Sequence, residues 1–451
     1  MSIFKSRKTA LAILLLAVIG FSSGSQQRGR ERTRTRSISP RREILSFNAG
    51  RLFHAQGPRY SRTDILVKFK PTVQRLWAET AIAAYGARTE KVISGLNIYK
   101  VRIPEGASAE TMVEVMKQNP HVELAELNYI ARISVTPNDT LFSLQYALYN
   151  TGQEIGIPGS PQGKNRADIK ATAAWEETKG RAETVIAVAD TGVDLLHPDI
   201  KNKIKSAGRD IVNNDYDATD DNGHGTYVAG IAAAETNNNQ GIAGVAWNAK
   251  ILPVKVVDQD GSGYYDWIIE GIKWAADNGA DVINLSLGGE DASELLLEAC
   301  KYAYDKRVVI VASAGNDNTG VYYPAAYDAY VLAVSATDYN DSRPEWGNYG
   351  PQVDVAAPGV RVVSLVPTWY FGPGSLPYGF GEGTSASAPH VAGLAALLKG
   401  YKPWLKVNEI MDIIRYSADD VNSTDHPGKD DFIGYGRINM EKALVPIKIA
   451  K

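Results

Sequence analysis

Hydrophobic and polar positions follow two regimes along this chain, which meet near residue 135. In the first, Asp64-Ile-Leu-Val-Lys-Phe-Lys70 alternates with the period of a strand and Val73 to Tyr85 carries helical spacing. Leu96-Asn-Ile-Tyr-Lys-Val-Arg-Ile103 alternates again, Ser108 to Gln118 gathers Met112, Val113, Val115 and Met116 on one helical face, and Val122 to Ala131 ends as a strand. The order strand, helix, strand, strand, helix, strand predicts a small α+β, ferredoxin-like sheet with both helices on one face, over residues 60–131. In the second regime, Val185-Ile-Ala-Val-Ala189, Lys250-Ile-Leu-Pro-Val-Lys-Val-Val257, Asp281-Val-Ile-Asn-Leu-Ser286 and Val308-Val-Ile-Val-Ala312 are nearly unbroken apolar runs. Such runs suit strands covered on both faces, and therefore a mostly parallel sheet. Tyr265 to Asn278 and Ser293 to Asp305 read as amphipathic helices between them, so residues 132–451 are expected to form one α/β domain.

The start of the chain follows neither pattern. Lys5, Arg7 and Lys8 precede the apolar run Ala10 to Phe21, and small residues, Ser22 to Ser25, follow it. A charged start, a short apolar stretch and a small-residue exit predict a signal peptide over 1–25 and hence a secreted protein. The run is shorter than the roughly 20 residues that span a bilayer; retention as an anchor at the cell surface is the alternative. Residues 26–59, with Gln26 to Arg42 rich in Arg, Ser and Thr, offer little to bury and are expected to be a disordered linker.

Composition narrows the function. The 451 residues carry a formal net charge of -3, which leaves no excess of positive charge to neutralise phosphates and argues against nucleic acid as a partner. The single cysteine, Cys300, excludes an intrachain disulfide and sits in a helical pattern as a small apolar side chain.

Three short motifs carry chemistry. Asp190 directly follows an apolar strand and precedes Thr191-Gly192, the position at which functional side chains project beyond a parallel sheet. His224, in Asn222-Gly-His-Gly-Thr226, is flanked by glycines at the start of an apolar helix. Ser385, in Gly383-Thr-Ser-Ala-Ser-Ala-Pro389, opens a buried helix, where it is either an ordinary cap or a nucleophile beside helix-end N–H groups. A metalloprotease His-Glu-x-x-His is absent. Gly20-Phe-Ser-Ser-Gly24 matches the nucleophile pattern of an α/β-hydrolase, but it lies in the leader and the order Asp, His, Ser is wrong for that fold.

Together these blocks resemble the three signatures of the subtilase (subtilisin-like serine protease) family, and the resemblance runs from about Asn138 to Ala443. It implies a subtilisin-like three-layer fold and a serine endopeptidase that hydrolyses peptide bonds through an acyl-enzyme on Ser385. His224 would be the base and Asp190 the residue that orients it. Asn316, in Ala312-Ser-Ala-Gly-Asn-Asp317, aligns with the family's oxyanion-hole asparagine. Gly261, Ser262 and Gly263 on one side, and Ser286, Leu287 and Gly288 on the other, would flank an extended peptide bound as an added strand. Ser313, Ala314 and Gly315 would help wall the pocket for the residue before the cut. Residues 60–131 resemble the family's inhibitory propeptide, which implies a precursor, cut by itself between about Ala131 and Asn138, whose propeptide acts as inhibitor and folding aid. A monomer is expected.

The resemblance also implies structural Ca²⁺. Asn138-Asp-Thr-Leu-Phe142 is similar to the calcium-binding start of the thermitase-like branch, with Asp139 as ligand; Asp199 matches another ligand, and Asn238 or Asn239 supplies oxygen from a loop. A second cluster, Asp210, Asn213 and Asp215, is similar to a weaker site, with a solvated acidic loop as the alternative. Two departures stand out. Tyr227 takes the place of a histidine common in the family, and Ala386 stands where many members carry methionine.

Overall fold

The computed structural model describes residues 60–129, 135–156, 159–370 and 375–444. The expected leader, the linker and the first part of the expected cutting span lie outside the described residues. The chain divides into two compact units, one within residues 41–133 and one within 134–444.

The N-terminal unit contains β1 (Tyr60–Phe69), α1 (Arg75–Ala83), β2 (Arg88–Ile93), β3 (Ile98–Arg102), α2 (Ala109–Lys117) and β4 (Val122–Tyr129). Its sheet runs β2-β3-β1-β4 and its neighbouring strands are antiparallel. The predicted strand and helix order therefore holds. Alternation drives it: Ile65, Val67 and Phe69 of β1 turn inward with Tyr99 and Val101 of β3, and Met112, Val113 and Met116 of α2 close the same core. Ser108 caps α2 by accepting the Thr111 N–H. The second strand, which the order requires but no clear alternation marks, is Arg88–Ile93, a largely polar edge strand.

The larger unit contains α3 (Ala171–Glu177), β5 (Val185–Asp190), β6 (Arg209–Asp210), α4 (His224–Ala233), β7 (Lys250–Lys255), α5 (Tyr265–Asp277), β8 (Val282–Leu285), α6 (Glu294–Asp305), β9 (Val309–Ser313), β10 (Val331–Thr337) and β11 (Val355–Pro358). It continues with β12 (Val362–Leu365), β13 (Tyr378–Gly381), α7 (Thr384–Tyr401), α8 (Val407–Ser417) and α9 (Met440–Leu444). Among the described residues, seven strands form one sheet in the order β11-β10-β9-β8-β5-β7-β6, with parallel pairing throughout. β12 and β13 pair antiparallel as a separate two-stranded sheet, with β12 against α4.

The sheet is covered on both faces. Val185, Ala187 and Ala189 of β5 turn toward Ile268 and Ile272 of α5 and toward Leu296 and Cys300 of α6. Cys300 is fully buried, as its helical setting predicts, and burial pushes its thiol up to about 12. The alternate residues Ile186 and Val188 are also fully buried, on the face to which α4 and α7 belong. Each such side chain contributes about 1.5–3 kcal/mol relative to exposure, so a double-faced apolar run has no polar positions to alternate. The carboxyl ends of β5, β8 and β9 lie side by side in this sheet. That is where an open α/β sheet presents its crevice.

Candidate active site

Asp190 is the last residue of β5 and almost wholly buried. Its Oδ1 accepts the Thr191 N–H at 2.8 Å and lies 2.7 Å from His224 Nδ1. His224 is the first residue of α4. Glycine makes this approach possible: Gly192 adopts φ 108°, and a Cβ on Gly225 would run into the Gly192 carbonyl. The Thr191-Gly192 turn can thus lie directly on the first turn of α4.

A second carboxylate holds that turn in place. Asp220 is buried and accepts five hydrogen bonds, from the Thr191 and Thr226 hydroxyls and the N–H groups of Asn222, Gly223 and Thr226. The Thr191 hydroxyl in turn accepts the Gly225 N–H at 2.9 Å. Burial lowers the pKa of His224, but the Asp190 charge, its hydrogen bond and the Asp220 charge outweigh burial and raise it. With Nδ1 directed at Asp190, Nε2 is the nitrogen left to exchange a proton.

Ser385 lies in the first turn of α7, partly exposed, and α7 packs against α4. Gly383 precedes it at φ 140°, and a Cβ there would lie 2.9 Å from Ser385 Oγ and 3.2 Å from Asn316 Nδ2. The hydroxyl and the amide nitrogen therefore border one small space, beside the positive end of a helix. The orientation of Asn316 is set by its other end. Its Oδ1 accepts the Thr384 N–H at 2.8 Å and the Thr384 hydroxyl at 2.9 Å, which turns Nδ2 toward that space. Ser286 donates to the Ser385 carbonyl at 2.9 Å and accepts from Asn284.

Of the other residues singled out for substrate binding, those after β8 and β9 meet this turn, and the Gly261–Gly263 loop meets the His224 turn. Gly315 N–H donates to the Thr384 hydroxyl, so the Ser313–Gly315 segment at the end of β9 touches the start of α7 as Ser286 does from β8. Gly261 to Gly263 belong to a loop closed by Asp258, which accepts from Asp260 and Ser262. Asn222 ties this loop to the His224 turn by donating to the Gln259 carbonyl. Sequence reasoning missed Asp220, Thr191, Thr384 and Asn348. Buried Asn348 pins the segment after β9 by accepting from Asp317 and Thr319 and donating to Ala314 and Gly320.

Away from this crevice, Asp139, Asp199 and Asn238 come together. The Asp139 carboxylate accepts the Asn237 N–H, and Asn238 reaches Asp199 Oδ1 at 2.7 Å. Of the two asparagines it is Asn238 that turns to Asp199; Asn239 uses its N–H on Asn138. Burial raises both carboxyl groups, Asp199 to about 7, with the Asp139 charge adding to the effect. Two buried like charges with hard oxygen donors form a setting that a divalent cation would relieve. In the second cluster the side chains close turns: Asp210 accepts from the N–H and the amide of Asn213, and Asp215 accepts the Asp217 N–H.

Tyr227, in place of the usual histidine, is buried and donates to the Val362 carbonyl at 2.7 Å, which fastens α4 to β12. Ala386 is fully buried behind Ser385.

Comparison with known proteins defines the family. A model of the subtilase family, peptidase S8, matches residues 181–436, and one of the fervidolysin N-terminal prodomain matches residues 48–128. A thermophilic serine proteinase of a Bacillus species is 40% identical over 398 residues, 87% of this chain and 89% of that one. Thermitase of Thermoactinomyces vulgaris is 41% identical over 310 residues, 68% of this chain and 99% of its own. A solved protease structure from Pseudoalteromonas arctica superposes with a TM-score of 0.59 at 32% identity, over 69% of this chain and 99% of that one. The chain is a hydrolase of the serine-peptidase class, with an N-terminal prodomain ahead of its catalytic region. It belongs to the subtilase family.

Proposed function

We propose that the protein is a secreted, self-processing subtilisin-like endopeptidase in which Ser385, His224 and Asp190 act in series. The observation that carries this reading is the 2.7 Å contact between Asp190 and His224 Nδ1, at the start of a helix packed on the helix whose first turn holds Ser385.

Ser385 Oγ attacks the scissile carbonyl while His224 Nε2 takes its proton. Asp190 holds the tautomer with Nδ1–H and stabilises the imidazolium. Negative charge collects on the carbonyl oxygen, and Asn316 Nδ2 with the Ser385 N–H donates to it in a site that needs no rearrangement. The C–N bond then breaks and the imidazolium proton passes to the leaving amine. Water attacks the acyl-enzyme by the same route, and the hydroxyl of Ser385 is restored.

The substrate backbone lies between the Gly261–Gly263 loop and the Ser286–Gly288 segment as an added strand. Asp139, Asp199 and Asn238 would hold Ca²⁺, whose charge supplies structural stabilisation rather than chemistry. The Asp210, Asn213 and Asp215 turn is a weaker second site for the same ion. The prodomain inhibits the catalytic unit until it is cut between about Ala131 and Asn138, and the leader directs export. Among the described residues no helix is long and apolar enough to cross a membrane, and one relative is named a cell wall-associated protease.

The test is the precursor itself. Purified full-length protein is expected to convert to a shorter form with a new N-terminus in that span and then to hydrolyse casein, while Ser385→Ala precursor stays intact. Cutting of the Ser385→Ala precursor, purified alone, would refute self-processing.

A further inference from the structure

The segment Val321 to Ala326 joins the two stretches of chain that follow β8 and β9. β8 and β9 are adjacent parallel strands, and the segments that follow them, 286–289 and 314–316, both reach the start of α7 through Ser286 and Gly315. Tyr322 and Tyr323 bridge these segments. Tyr322 N–H donates to the Ala314 carbonyl at 3.0 Å, and Tyr323 and Gly289 exchange backbone hydrogen bonds at 2.8 and 2.9 Å. The Tyr322 side chain lies against both walls: a Cβ on Gly288 would sit 3.0 Å from its Cβ, and one on Gly315 2.9 Å from its Cδ2. Its hydroxyl donates to Asp317 Oδ2 at 2.8 Å and stands 3.3 Å from Glu290 Oε1. Glu290 extends one wall and Asp317 the other; both are exposed, and burial of the phenol, its hydrogen bond to Asp317 and the two carboxylate charges together raise its pKa. Neither carboxylate has a cationic partner among the described residues.

We propose that Tyr322, Glu290 and Asp317 form the far end of the pocket for the residue before the scissile bond, and that they select lysine or arginine there. This rests on the active-site reading above. A long, narrow side chain runs along the tyrosine ring, where a cation gains from the π face, and its charged end meets two carboxylates that lack a counter-charge. A bulky aromatic residue meets the Tyr322 ring where the pocket ends. An acidic residue meets two like charges, and specificity of this kind comes as much from rejection as from attraction.

The experiment compares kcat/KM of the mature enzyme on succinyl-Ala-Ala-Pro-X-p-nitroanilides with X as Lys, Arg, Phe, Ala or Glu. Lys and Arg are expected to exceed Phe and Ala, with Glu last. A rim-exposed ion pair is worth up to about 1 kcal/mol, or about fivefold, so Glu290→Gln and Asp317→Asn should each lower the Lys-to-Ala ratio by up to about fivefold and raise the Glu-to-Ala ratio. Tyr322→Ala should raise the Phe-to-Ala ratio. For the unaltered enzyme, salt at about 1 M, where the Debye length is about 3 Å, should shrink the Lys preference without any substitution. Equal or better cleavage after Phe, or a Lys-to-Ala ratio indifferent to both salt and the two amide variants, overturns the proposal while leaving the protease assignment intact. No cleavage of any peptide, together with no labelling of Ser385 by a fluorophosphonate, overturns both.

Discussion

Asn316 is held by Thr384: the threonine N–H and hydroxyl both donate to Asn316 Oδ1, at 2.8 and 2.9 Å. Because Thr384 immediately precedes Ser385, the donor for the oxyanion and the nucleophile are fastened to one another. Asn316→Ala should therefore lower kcat by about 10²–10³-fold, a magnitude established on a member of this family, with KM changed little. A loss below about fivefold would mean that Nδ2 does not face the developing charge.

The pH profile carries a sign. His224 must be neutral to accept a proton, and its pKa is raised above the ordinary histidine value of about 6.5 because the Asp190 and Asp220 charges outweigh burial. Activity should thus fall as the pH drops through a midpoint above about 6.5. Removing one negative charge with Asp220→Asn should move that midpoint to lower pH and cost about 1–3 kcal/mol of stability, since buried hydrogen bonds are disturbed. An acid limb that stays in place in the variant would show that Asp220 exerts no field on the ring.

Gly383→Ala tests the tightness of the crevice. The new methyl group would press on Ser385 Oγ from 2.9 Å, at a φ of 140° that costs an alanine about 1–3 kcal/mol. The variant is expected to fold, shown by circular dichroism, with kcat reduced at least about 100-fold. Activity within threefold of the parent would contradict the geometry.

Chelation addresses the cluster at Asp139 and Asp199. With Ca²⁺ at about 100 times its dissociation constant, the ion stabilises by about 2.7 kcal/mol. Removing it with EGTA should lower Tm by several degrees, and Asp199→Asn should abolish that difference. A Tm indifferent to EGTA and to added Ca²⁺ would remove the ion from the account.

Ala386 behind Ser385 leaves no thioether next to the nucleophile, and Met411 and Met440 of the larger unit are buried. Activity should survive dilute peroxide that oxidises an exposed methionine. Rapid inactivation, traced by mass spectrometry to the Ser385 turn, would count against this.

What could be read in the chain depended on range. The strands β5, β7, β8 and β9 announce themselves because burial on both faces leaves unbroken apolar runs. β2 is a polar edge strand, and β11 and β13 are four-residue segments containing proline or glycine, without alternation to mark them. Asp190, His224 and Ser385 sit in local motifs whose neighbours are dictated by close approach, and so they were legible. Asp220 and Tyr322 were not. Asp220 acts through Thr191, 29 residues away, and Tyr322 is defined by Glu290, 32 residues away. Those pairings exist only once the sheet has brought distant loops to one edge.

The most direct test of the whole account is stoichiometric labelling of the mature enzyme with a fluorophosphonate, mapped by mass spectrometry, on the parent and on His224→Ala. The arrangement described here predicts one label per molecule on Ser385, complete loss of peptidase activity, and labelling slowed by orders of magnitude when the imidazole is removed. Full inactivation with the label on another residue, or equal labelling rates in the two proteins, would contradict it.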